Sequence, residues 1–302
     1  MALKRVFNLV KQTMSIKYMR VTVISLFVGI IALVFSLIAV THVSGSFANS
    51  NDVVPQILSS GVLRACYTIY PPDFNKDPKT GDFSGIFYDI TQAMAHNLGL
   101  KVELTKEVGY GDIFMALDAH QCDVFIGGVW PSSSRAKAGY FTEPAFYSAI
   151  YAYGRPDDHR FDNNLNAINS PSIRIAVIDG ELEDIIAQTD YPNAQRVSLP
   201  QLSSFSQNLL NITSGKADVT FIERSVMDAF LKEHPGALRQ LSPSPVRVFG
   251  NVFAVQRGQT DLQNLLNASL NELIYSGQVN SILKKYEIAP DEFLRIALPY
   301  QA

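Results

Sequence analysis

Two hydrophobic rhythms alternate along the chain after residue 56. Short apolar runs mark strands at GVLRACYTI (61–69), KVELTKEV (101–108) and CDVFIGG (122–128). Between them, GIFYDITQAMAHNLGL (85–100) carries Ile90, Met94 and Leu98 at the spacing of one helical face, and Gly99 supplies a stop. GDIFMALDAHQ (111–121) reads as a second helix. Strand and helix taking turns in this way predict a mostly parallel sheet flanked by helices, the α/β class.

The same grammar returns later. SIRIAVIDG (172–180) is a strand that leads into a helix at ELEDIIAQT (181–189), QRVSL (195–199) is a strand, and FSQNLLNITSGKADVTFIE (205–223) reads as helix, small turn, Asp, strand. Leu117, Asp123 and Phe125 in the first half match Leu210, Asp218 and Phe221 in the second. Two lobes on one plan are therefore expected. Two strand-like stretches, YSAIYAYGRPDD (147–158) and VRVFGNVFAVQRG (246–258), carry the chain across and back. The expected boundaries are 56–150 plus 251–302 for lobe one and 151–250 for lobe two, with a cleft between them of the kind that binds small ligands.

The N-terminus follows another pattern. Residues 21–41 (VTVISLFVGIIALVFSLIAVT) hold no charge, are apolar on every face and have the length of a bilayer span. Lys4, Arg5, Lys11, Lys17 and Arg20 precede them with no acid. Positive residues stay in the cytoplasm, so 1–20 is expected to be a cytoplasmic tail, 21–41 a membrane anchor and 42–55 a tether. The globular part would then lie in the periplasm, held to the inner membrane by a single pass. A cleaved leader with a site near VSGSFANS is the competing reading.

Composition narrows the function. The chain has 302 residues, 47% hydrophobic, with a formal charge of −3. It is neither a disordered chain nor a basic nucleic-acid binder, and no nucleic-acid partner is expected. There is no CxxC, no metal-ligand spacing, no phosphate loop and no nucleophile-base set, so neither metal nor cofactor is expected. His96, His120, His159 and His234 are scattered. Two cysteines, Cys66 and Cys122, lie beside predicted core strands and are expected as buried free thiols, with one bridge as the alternative.

Four segments, in order and spacing, resemble the bacterial extracellular solute-binding proteins of family 3, the amino-acid type. They are GVLRACYTIYPPDF, GIFYDITQAMAHNLGLKVE, CDVFIGGVWPSSSRAKAGYFTEPAFY and NVFAVQRGQTDLQNLLNASLNELIYSGQVNSILKKY. The resemblance implies the two-lobe type II periplasmic-binding fold with two hinge strands. It also implies a small-molecule ligand, an amino acid or a relative, delivered to an ABC transporter permease or a sensor. Residue by residue, it implies that Arg135 grips a ligand carboxylate, for which a guanidinium fork is suited. Gly128 and Trp130 stand where relatives often carry hydroxyls, and would offer backbone groups. Ser132 sits at a hydroxyl position, and Tyr70, helped by Tyr67, matches the aromatic that stacks on the ligand. Trp130 would form the opposite wall, and Glu223 falls where an acid meets the ligand's ammonium. A capped helix start at PSSSRAKA and a surface pair between Glu223 and Arg224 are the plainer readings of the same residues.

Glu181 is the sharpest departure. Relatives place a small hydroxyl residue after this glycine, at a helix N-terminus that holds the carboxylate. Here Glu181 is followed by Glu183 and Asp184, which either compensate the helix dipole or select a cationic ligand group. Two rival functions stand beside solute binding. One is an enzyme resembling cyclohexadienyl dehydratases, with Glu223 as proton donor. The other is a sensory or interaction domain that binds no ligand.

Overall fold

The computed structural model describes residues 52–162, 164–289 and 292–297. The expected tail, anchor and first part of the tether lie outside these residues. Among the described residues, no helix is long and apolar enough to cross a membrane.

In chain order the strands are β1 (Val62–Tyr67), β2 (Asn75–Lys76), β3 (Phe83–Ser84), β4 (Lys101–Glu107), β5 (Val124–Val129), β6 (Gly139–Phe141), β7 (Phe146–Gly154), β8 (Arg174–Ile178), β9 (Gln195–Leu199), β10 (Val219–Glu223), β11 (Arg239–Gln240) and β12 (Arg247–Gln256), and one continuous path runs β4-β1-β5-β12-β7-β10-β8-β9. In lobe one, β1 (Val62–Tyr67) lies parallel between β4 (Lys101–Glu107) and β5 (Val124–Val129). In lobe two, β8 (Arg174–Ile178) lies parallel between β9 (Gln195–Leu199) and β10 (Val219–Glu223). Burial follows position in the sheet. Every residue of β5 and of β10 is buried, whereas the edge strand β4 turns charged residues to solvent. The two long antiparallel strands β7 (Phe146–Gly154) and β12 (Arg247–Gln256) join the lobes. They pair with each other from Ile150–Arg247 to Asn251–Phe146; beyond that ladder β7 continues onto β10 and β12 onto β5.

Each lobe has its own core. Phe74, Phe87, Phe146 and Phe253 are fully buried in lobe one, under the helices Ile86–Asn97 and Thr260–Tyr275. Ile150, Ile175, Val177 and Phe221 are fully buried in lobe two, against the helix Leu182–Asp190.

The repeated grammar has a repeated bond. Asp123, at the turn into β5, accepts from the Arg64 backbone N–H at 3.0 Å and pairs with its guanidinium. Asp218, at the turn into β10, accepts from the Arg174 backbone N–H at 2.9 Å and pairs with its guanidinium. In both lobes a buried carboxylate thus ties the start of the first strand to the start of the third. Such an acid is tolerated in the interior because a charged partner and backbone donors satisfy it.

The expectation of free thiols is overturned: Cys66 and Cys122 form a disulfide with Cα atoms 5.5 Å apart. The reason is the strand order. β1 and β5 are direct neighbours, and the turn that enters β5 holds Cys122 against Cys66 in one buried cluster although the two lie 56 positions apart in sequence. Local periodicity carries no information about which strands are neighbours.

Candidate functional site

The site is built from loop ends at the carboxyl edges of the strands, where open α/β sheets place their ligands. After β1 the chain turns back on itself: the Tyr70 N–H donates to the Phe74 carbonyl at 2.8 Å, and the Phe74 N–H to that of Tyr70 at 2.9 Å. This closed loop presents Tyr70 and Asp73 towards lobe two. After β4, Tyr110 is fixed by its hydroxyl, which donates to the Gly127 carbonyl at 2.8 Å. At the end of β5, Gly128 takes a left-handed φ of +69°, and a Cβ there would fall 2.6 Å from the Phe87 ring and 3.0 Å from the Asp73 carboxylate. Only glycine lets the strand pass this close to Asp73.

Trp130 comes next. Its indole N–H donates to Asn251 at 2.8 Å, its ring stacks on Phe249 at 5.5 Å, and Tyr70 meets it edge-on at 6.5 Å. The serine run then forms a short turn in which the Ser132 hydroxyl accepts from the Arg135 backbone N–H at 3.2 Å. Arg135 reaches back across Tyr110, its guanidinium carbon 5.9 Å from the ring centre. One arm donates to the Trp130 carbonyl at 3.1 Å and the other to the Gly180 carbonyl of lobe two at 2.9 Å.

Lobe two brings acids to the same place. Glu223 ends β10 and is buried, and the Tyr70 hydroxyl donates to its carboxylate across the cleft. A third crossing, after those from Arg135 and Tyr70, runs from the Gly111 N–H to the Gln201 side-chain oxygen at 3.1 Å. The three acids after Gly180 have separate tasks. Glu183 accepts from the Ile178 N–H at 3.1 Å, and Asp184 accepts from the Gly180 N–H at 3.2 Å and pairs with Arg196. Glu181 is only 6% exposed, yet among the described residues no donor reaches its carboxylate within hydrogen-bond distance.

The electrostatics follow from this crowding. Burial pushes the Glu223 carboxyl up to about 7, although the Tyr70 hydrogen bond pulls the other way. Burial, and then the charge of Glu223, lift Asp73 well above the carboxylate range. Burial and the neighbouring Glu183 do the same for Glu181, with Arg135 opposing. Burial, then Glu223, holds Tyr70 well above its usual value, and burial, then Glu181, does so for Tyr110; both phenols are neutral donors at physiological pH. Arg135 loses some basicity to burial, and Glu181 counteracts that loss. Three carboxyls, Asp73, Glu181 and Glu223, therefore share the cleft with one guanidinium. Among the described residues, no group of three or more His, Cys, Asp or Glu side chains could hold a metal ion.

A profile of the bacterial extracellular solute-binding proteins, family 3, matches residues 63–288. The chain belongs to that family. Among curated proteins it is 26% identical, over 277 residues, to the membrane-bound lytic murein transglycosylase F of Cronobacter sakazakii, a match covering 86% of this chain and 50% of the relative. It is 25% identical to the same-named protein of Salmonella typhimurium, with 89% and 51% covered. The chain thus spans about half the length of these curated relatives. Solved structures agree on the fold. An ancestral amino acid-binding protein, a precursor of cyclohexadienyl dehydratase, superposes with a TM-score of 0.67 at 22% identity, covering 78% of this chain and 99% of that one. An ancestral arginine-binding protein bound to arginine gives 0.65 at 23%, covering 75% and 98%. The cysteine-binding protein of Campylobacter jejuni gives 0.69 at 15%, covering 82% and 100%.

Of the eight residues singled out in the sequence, Arg135, Glu223, Tyr70, Trp130 and Glu181 meet in the cleft, Gly128 backs it, and Ser132 supports Arg135 from a half-buried turn. Glu223 does not pair with Arg224, which turns instead to Asp228. Tyr67 goes elsewhere: its ring stacks on Phe74 at 5.0 Å and meets Phe83 edge-on at 5.2 Å, within the core of lobe one. Four participants carried no signal strong enough to find them. Asp73 reads as a turn residue, Tyr110 sits in a glycine loop, Phe205 opens a helix and touches Tyr70 edge-on at 4.7 Å, and Gln201 lies in a polar turn.

Proposed function

We propose that the cleft binds an amino-acid-like solute carrying one carboxylate and at least one cationic nitrogen, outside the cytoplasmic membrane, for a transporter or a sensor. The observation that carries this reading is the gathering of Arg135, Asp73, Glu181 and Glu223, from both lobes, around Tyr110. A guanidinium suits the carboxylate, and buried acids in a reduced dielectric favour a cation over a second anion. Cationic amino acids are therefore expected to bind better than acidic ones. The test is a melting-shift screen of the full-length chain in mild detergent with neutral, basic and acidic amino acids. Murein fragments are included because the curated relatives' names point to that class. A ligand at a hundredfold excess over its dissociation constant stabilises by about 2.7 kcal/mol. A panel with no shift, or a preference for acidic amino acids, removes this reading.

The disulfide supports an oxidising compartment, as do the basic lead-in and the uncharged stretch at 21–41 for periplasmic display from a single-pass anchor. A C-terminal reporter that works only in the cytoplasm would refute that placement if it proved active. One observation favours an enzyme as a second reading: a carboxyl near 7 is matched to proton donation at neutral pH. Turnover of a cyclohexadienyl acid that is lost in Glu223→Gln would decide for it.

A further inference from the structure

A cavity of about 540 Å³ opens between the lobes beside the acids. Lobe one gives it Ile69 and Pro71; lobe two gives Phe205, Leu209, Val226 and Phe230. This is the size and character of a small-molecule compartment. Its polar charge has one sign. Glu181 lines it from within, and Glu107 and Glu233 stand exposed at its rim. No Lys, Arg or His lines it among the described residues. Glu183 and Asp184 spend their carboxylates on the turn and on Arg196, whereas that of Glu181, in a side chain only 6% exposed, meets no donor. This carboxylate faces the cavity with the charge of Arg135 nearby but no hydrogen-bond donor of its own, and an incoming ammonium would supply one.

We infer that this cavity takes the apolar body of an organic cation, with the charged nitrogen on the Glu181 carboxylate. The inference rests on the cleft being a solute site and narrows its ligand from any basic amino acid to an amine with an aryl or branched alkyl body. The Phe205 and Phe230 rings offer the apolar contact, and the rim acids attract the cation on its way in.

The test is calorimetric titration of the full-length chain in detergent with 2-phenylethylamine, with 3-phenylpropionate as the anion of similar shape, and with arginine. The amine is expected to bind and the carboxylate not. Glu181→Gln should weaken the amine roughly tenfold or more, as loss of a charge-assisted bond does. Ala229→Trp fills the cavity from an exposed position, so it leaves the fold intact; it should weaken the amine to a similar degree and spare arginine. Binding of arginine with no binding of the amine, or amine binding unchanged in both variants, overturns this inference and leaves the cleft reading standing. Silence towards amine, arginine and the wider panel overturns both.

Discussion

Replacing Glu223 by Gln removes the titration of the group that Tyr70 grips across the cleft while keeping an oxygen to accept the bond. The folded carboxyl holds its proton to about pH 7, against an ordinary value of 4.5. Each pH unit of difference corresponds to about 1.36 kcal/mol, so the protonated form favours folding by about 3 kcal/mol relative to the ionised one. Because the folded value is raised, this contribution is complete below about pH 4.5 and is lost as pH climbs through about 7. Asp73 and Glu181 are raised for similar reasons and tilt the profile the same way. Subtracting the Glu223→Gln profile from the wild type removes their own share. It also widens the gap slightly, since Asp73 is raised partly by Glu223. Urea unfolding at steps between about pH 4.5 and 8 should show the wild type losing about 3 kcal/mol against the variant. A difference that stays flat within about 0.5 kcal/mol, or runs the other way, would refute the burial argument.

Arg135→Ala should cost on the order of 2–5 kcal/mol in ligand affinity, with Arg135→Lys recovering part of it; an unchanged dissociation constant for a ligand found in the screen would remove Arg135 from the site. Reducing the Cys66–Cys122 bridge releases a loop spanning 56 residues and should lower stability by about 4 kcal/mol on the loop-entropy rule, read as a drop in the urea midpoint with dithiothreitol; an unmoved midpoint after confirmed thiol release would contradict it.

What could be read from the chain, and what could not, divides along a physical line. Alternation of strand and helix, the two long crossing strands and the matched acids Asp123 and Asp218 are local or repeated features. They survive in sequence because each lobe must bury its own sheet with a period of two or 3.6. The bridge between Cys66 and Cys122 depends on which strands are neighbours, a property of topology that no local period encodes. The cleft is harder still. Tyr70, Asp73, Tyr110, Arg135, Glu181, Phe205 and Glu223 come from separate loop ends of two lobes, and each alone reads as a turn, a cap or a surface residue. Their meeting is set by how β7 and β12 hold one lobe against the other. Glu181 makes the point sharply. By position it is the residue that opens a helix, where an acid needs no explanation beyond the dipole. Asp184 already supplies that compensation from the first turn, anchored by the Gly180 N–H, while Glu183, which burial pushes up to about 8, serves as an acceptor for the Ile178 N–H. A third acid, buried and without a donor, adds cost and no further stability to the helix, so its presence is better explained by what enters the cleft than by what holds the fold.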